Sequence, residues 1–112
     1  MMLSEETRDG VLILRCHEPR IDASHAPAFR EEVIRRIEGG PGLVVLDLSE
    51  VTFVDSSGLG AIVSCLKRLG PRGNMAIAGA RGAVMRLFTL TRMDKIFSLH
   101  DTAEAAVARL NG

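Results

Sequence analysis

Asp55-Ser56-Ser57-Gly58 places a carboxylate and two hydroxyls next to a glycine, at the entrance to an apolar element. A serine hydroxyl there could act as a nucleophile or receive a phosphoryl group, and the carboxylate could take backbone N–H donors. The residues that follow say which element it is. Leu59, Ile62, Val63, Leu66 and Leu69 fall at helical spacing and make one apolar stripe. Asp55 to Ser57 therefore stand at a helix start, where the first backbone N–H groups have no internal partner and the helix dipole is positive. A carboxylate, hydroxyl or phosphate is stabilised at such a place. Gly58 and Gly60 have no side chain to fill it, so a close neighbour can approach. The same residues also fit a plain helix cap by Asp55 or Ser56, and local sequence leaves both readings open.

The stretch 42–70 delivers that site. Leu43-Val44-Val45-Leu46, running into Asp47-Leu48, is short, apolar and rich in β-branched residues, as in a strand covered on both faces. A second apolar burst, Val51 to Val54, leads into Asp55. Earlier in the chain, Ser4 to Arg8 are polar and Asp9-Gly10 signals a tight turn. Val11 to Leu14 read as a strand, with Met2-Leu3 as its hairpin partner. Cys16 to Arg20 form a loop broken at Pro19.

Asp22 and Ser24 are candidate caps for a helix that tolerates Pro27 near its start. Ala26, Phe29, Val33 and Ile37 give its apolar stripe, and Glu31–Arg35 and Glu32–Arg36 are ion pairs at i, i+4. Gly39-Gly40-Pro41-Gly42 ends it. After a turn at 70–74, Met75 to Ala78 is a strand. Val84, Leu87, Phe88 and Thr91 share a helix face, and Ile96 to Leu99 form a final edge strand. Asp101-Thr102 cap a last helix carrying Ala103, Ala106, Val107 and Leu110, with Glu104 at its positive end. Strand and helix alternate from residue 43, so parallel strands joined by helical crossovers are expected, with an antiparallel pair at the beginning.

Composition excludes several functions. The 112 residues suit one domain, expected to span 1–112 with its core at about 5–110. With 14 basic and 14 acidic residues, the formal net charge is zero, against the cationic excess that phosphate-backbone binding needs. No Trp or Tyr and only four Phe argue against base stacking. No apolar run nears the roughly 20 residues of a membrane span, and the polar, acidic start does not read as a signal peptide. Cys16 and Cys65 lack metal spacing and read as a reduced cytoplasmic pair. His17, His25 and His100 read as surface or loop residues without ligand spacing. A triad of Ser56, His25 and Asp22 can be drawn, but the local pattern is not the Gly-x-Ser-x-Gly elbow. There is no phosphate-binding Gly-x-x-x-x-Gly-Lys-Ser/Thr loop either. No catalysis and no cofactor are expected.

The run Thr52-Phe53-Val54-Asp55-Ser56-Ser57-Gly58-Leu59-Gly60 resembles the signature of the STAS domain, in particular that of bacterial anti-sigma factor antagonists. Leu46-Asp47-Leu48-Ser49 and the helix of Ala83 to Thr91 fit the same pattern, and the likeness spans about residues 5–110. The resemblance implies an α/β fold: a single STAS domain with a mixed four- to five-stranded β-sheet and about four α-helices. It implies phosphorylation at Ser56, with Ser57 as the alternate that local physics barely separates from it. It places Asp22 in a second functional loop, although Pro19 stands where that loop commonly has glycine. It also implies partner contacts through Asp22, Asp55, Ser56, Ser57, Gly58 and Leu59.

The implied partner is an anti-sigma factor that is also an ATP-dependent serine kinase, sequestered by the unphosphorylated chain and released when Ser56 is phosphorylated. Neither direct nucleic-acid binding nor membrane insertion is implied; the chain would be a cytoplasmic monomer or weak dimer. Small STAS proteins also resemble regulatory subunits that bind the ATPase of lipid-transporting ABC systems. A third possibility is a STAS module within a larger signalling complex.

Overall fold

Asp9 and Gly10 both take positive φ, 51° and 77°, as a type I′ hairpin turn requires. They join β1 (Leu3–Arg8) to β2 (Val11–Cys16) as antiparallel neighbours, with Arg8 opposite Val11 and Leu3 opposite Cys16. The pairing is longer than the expected Met2-Leu3 contact. Ser4 to Arg8 are polar because β1 is an outer strand, where charged side chains face water and discourage further pairing. The computed structural model describes all 112 residues, Met1 to Gly112.

The remaining elements follow as β3 (Arg20–Ile21), α1 (Ala26–Ile37), β4 (Leu43–Asp47), β5 (Phe53–Val54), α2 (Ser56–Leu69), β6 (Asn74–Ala78), α3 (Gly82–Leu90), β7 (Ser98–His100) and α4 (Ala103–Asn111). Five strands form one mixed sheet in the order β1-β2-β4-β6-β7, antiparallel at β1–β2 and parallel elsewhere. The α/β fold with four helices expected from the alternation is therefore present.

Strand periodicity sorts the core into two layers. Leu12, Leu14, Val44, Leu46, Met75 and Ile77 point to the face covered by α1, α2 and α3. Val11, Ile13, Val45, Ala76 and Ala78 point to the other face, where Ala103, Ala106 and Val107 of α4 pack on them. Alanines stand on both sides of that second contact, Ala76 and Ala78 on the sheet and Ala103 and Ala106 on α4. The two remaining strands, β3 and β5, pair parallel to each other as a small separate ladder, Arg20 opposite Phe53 and Ile21 opposite Val54.

Several sequence expectations are corrected. The final strand is Ser98–His100, not Ile96–Leu99. Arg92 at φ 62° starts a turn of 3-10 helix over Met93–Lys95, and Ile96 and Phe97 both donate their N–H to the Met93 carbonyl. Phe97 is apolar because it is buried edge-on against Phe88, ring centroids 5.8 Å apart, and not because it is in a strand. His100 consequently lies in β7 and not in a loop.

Helix α1 starts at Ala26, with His25 at the cap position and no side-chain cap, so neither Asp22 nor Ser24 is the N-cap. Arg35 pairs with Glu32 and not with Glu31, while Glu32–Arg36 forms as expected at 2.9 Å. The loop at 16–20 ends one residue early, because Arg20 enters β3. Thr102 caps α4 by accepting the Ala105 N–H at 3.1 Å. Cys16 and Cys65 are free thiols buried in the same apolar layer. No helix is long and apolar enough to cross a membrane.

Candidate functional site

Asp55 is the hinge of the site. Its backbone is extended (φ −100°, ψ −174°), and its Oδ1 accepts the Gly58 N–H at 2.9 Å, which caps α2. Its Oδ2 accepts the Ala23 N–H at 3.0 Å, 32 residues away in sequence. The same carboxylate thus caps one helix and ties down the loop that leads into another. Reading Asp55 as a cap is correct but incomplete.

The β3–β5 ladder reinforces this tie. The Pro19 carbonyl accepts the N–H groups of Thr52 and Phe53, and the Ile21 carbonyl accepts that of Asp55. Gly58 is required here. A Cβ at that position would lie 1.9 Å from the Ile21 carbonyl oxygen, so any side chain would push α2 away from β3. Gly60 is different: nothing lies within 4 Å of where its Cβ would be, and its surface is open.

Asp22 is held within its own loop. Its Oδ1 accepts from the Ser24 N–H (3.1 Å), the Ser24 hydroxyl (2.7 Å) and His25 Nδ1 (2.7 Å), and its Oδ2 accepts from Arg20 Nε (3.1 Å). These donors, His25 foremost and then Ser24 and Arg20, hold its carboxyl well below the usual carboxylate range. The Arg20 guanidinium also lies over the Phe53 ring, Cζ 4.3 Å from its centroid. Arg20 and Phe53 were not singled out in the sequence, and His25 entered only as a surface or loop residue and in a triad with Ser56. The Asp-x-x-His spacing at 22–25 was a usable local signal. The Arg20–Phe53 stack was not, because it depends on pairing between strands 33 residues apart. In the imagined triad, Asp22 and His25 do meet, but the hydroxyl beside His25 is that of Ser24, 3.2 Å away, which itself donates to Asp22.

Ser56 and Ser57 open helix α2 and are both exposed. They line two adjoining grooves, which share Gly60 and Ser64. Ser56 lies on a groove of about 460 Å³ between α2 and α3, walled by Leu59, Val63, Leu87 and Met93. Ser57 lies on a groove of about 860 Å³ between α1 and α2, walled by Arg30, Ile34, Ser64 and Arg68. Leu59 is 8% exposed, a core residue whose edge reaches the first groove. The structure therefore brings Asp22, Asp55, Ser56, Ser57, Gly58 and Leu59 to one end of α2. It separates the two serines, which the sequence could not.

Comparison with known proteins shows the family and the fold. The family model described as the STAS domain matches residues 3–106. An anti-sigma F factor antagonist from Paenibacillus polymyxa is 34% identical over 114 residues, covering 98% of this chain and 95% of that protein. An anti-sigma-B factor antagonist from Bacillus subtilis (strain 168) is 30% identical over 88 residues, covering 78% of this chain and 80% of that one. The crystal structure of an anti-sigma factor antagonist from Mycobacterium paratuberculosis superposes with a TM-score of 0.89 at 28% identity, covering 99% of this chain and 94% of that one. A mixed five-stranded sheet that sets Asp55-Ser56-Ser57-Gly58 at the head of α2, together with a family match across nearly the whole chain, shows that this protein belongs to the STAS domain family.

Proposed function

We propose that this chain is an anti-sigma factor antagonist that acts by binding and not by turnover. In its unphosphorylated form it sequesters a cytoplasmic anti-sigma factor that is also an ATP-dependent serine kinase, and this frees a sigma factor. Phosphorylation of Ser56 releases the partner. The observation that carries this reading is an exposed Ser56 at the head of α2, beside the Asp55-clamped loops and on the mostly apolar α2–α3 groove. Relatives that cover most of the chain bear the name of this activity.

The switch needs no refolding. A phosphate on Ser56 adds about −1.5 to −2 charges at neutral pH. The α2 N-terminus accommodates that charge within the domain. Asp55 adds a carboxylate beside it, whereas Asp22 is already paired with Arg20 and His25 in its own loop. A partner surface fitted to a neutral serine and to Leu59 and Met93 then meets repulsion and a desolvation cost. A loss of about 3 kcal/mol would weaken binding on the order of a hundredfold.

The test is capture from source-cell extract with Ser56→Ala and Ser56→Asp as paired baits, quantified by mass spectrometry. A kinase-fold anti-sigma factor enriched on Ser56→Ala and depleted on Ser56→Asp is expected. Recovery of an ABC ATPase equally on both baits would replace this reading with a transport one.

A further inference from the structure

The α2 N-terminus is common to Ser56 and Ser57, but the grooves they open on are not alike. The α1–α2 groove beside Ser57 is walled by three arginines. Arg35 is taken by Glu32, and Arg68 by Glu38 at 2.7 Å. Arg30 instead spends its charge on a neutral group, its Nε donating to the Ser64 hydroxyl at 2.8 Å. Glu31 on the same wall adds one opposing charge. Ser57 and Ser64 lie seven residues apart, two turns along the same face of α2, about 10 Å. Between them Gly60 leaves the floor of the groove empty. A long, exposed guanidinium on α1 can move along that floor, and a phosphate dianion is a far stronger acceptor than a serine hydroxyl.

We propose that Ser57 and Arg30 form a second phosphoserine site. A phosphate on Ser57 Oγ draws Arg30 away from Ser64 and is held in the α1–α2 groove, so it is read inside the domain and away from the Leu59, Val63, Leu87 and Met93 wall of the α2–α3 groove. The phosphoryl donor is ATP on the serine kinase of the partner-switching reading, and this part rests on that reading. Ser57 Oγ attacks the γ-phosphorus, the bond to the β–γ bridging oxygen breaks, ADP leaves, and the hydroxyl proton passes to a base of the kinase. The kinase places its γ-phosphate within one residue of Ser57, about 3.8 Å along the backbone. The capture by Arg30 is a property of this chain alone.

Two experiments test the two halves. Full-length chains carrying phosphoserine at 57 or at 56, each with and without Arg30→Gln, are titrated by phosphorus NMR near physiological salt. The second pKa at position 57 is expected to lie about half a unit or more below that at 56, since a nearby opposite charge favours the dianion, and Arg30→Gln is expected to abolish the difference. Equal values at the two positions, or a difference that survives Arg30→Gln, would overturn the capture. For the acceptor half, phosphopeptides of the Ser56→Ala and wild-type chains are mapped from source cells. Phosphate at Ser57 in Ser56→Ala supports it. An unmodified Ser57 there, with Ser56 phosphorylated in wild type, overturns this half and leaves the switch standing. No phosphate on either serine of the wild type overturns both.

Discussion

Asp22 shows how far one residue's environment can depart from its place in a sequence pattern. Four donors from Arg20, Ser24 and His25 converge on its carboxylate, so the charge that the loop turns to solvent is largely the Arg20 guanidinium, whose side chain is 52% exposed. The linkage follows from the depressed pKa. Its stabilising effect is fully present above the unfolded carboxyl value near 3.9 and is lost as pH falls toward the lower folded value. Between pH 5 and pH 2 the wild-type chain is therefore expected to lose more stability than Asp22→Asn, which has no carboxylate to protonate. Urea midpoints at a series of pH values measure this; parallel loss in both chains would show that Asp22 is not the group holding the loop. Asp55 acts across a longer distance, joining Ala23 to Gly58 with its two oxygens. The sequence showed a cap there. It could not show the second bond, whose partner is a backbone N–H far away in the chain.

At the level of elements, α2 was the most legible part of the molecule. Its apolar spacing, the Asp55 cap and the Gly70 stop are all local signals, and the helix runs from Ser56 to Leu69 as they imply. Boundaries set by tertiary packing were less legible. The stretch 96–99 is apolar but for Ser98, yet Phe97 packs against Phe88 beside a 3-10 turn while pairing begins only at Ser98. The two-residue strands β3 and β5 have no periodicity to read, and they exist because each supplies the other's backbone partners. They set the tolerance of the site. Gly58→Ala would force its Cβ into the Ile21 carbonyl, and overpacking of this kind costs about 1–3 kcal/mol. A loss of that size in urea unfolding is expected, with partner binding weakened at the same time as α2 moves off β3. A neutral Gly58→Ala would mean that the contact relaxes without moving the helix. Gly60→Ala, with open space around it, is the matched control and is expected to change stability little.

At the scale of the whole molecule, alternating strands and helices indicated a mixed sheet with parallel crossovers, and the sheet is built that way. Its two faces are unequal. One carries three helices and most of the core; the other carries α4 over alanine and valine. Both cysteines lie in the larger layer, where burial raises the Cys16 thiol and pushes Cys65 up to about 11. The neutral thiols favour the fold below the ordinary thiol value near 8.5, and that contribution is lost as pH rises toward 11. Both are expected to resist a thiol reagent at pH 8 in the native chain and to react in denaturant. Rapid native labelling of either would show that the layer opens.

The head of α2 stands at the surface with a groove on each side, and in the proposed switch charge at Ser56 decides whether a partner stays. The most direct test is the equilibrium affinity of the purified anti-sigma kinase for Ser56→Ala and Ser56→Asp, measured by titration calorimetry at one salt concentration. Binding weaker by about a hundredfold for Ser56→Asp, with unchanged unfolding midpoints, is the predicted result. Equal affinity of two equally stable chains would contradict the switch.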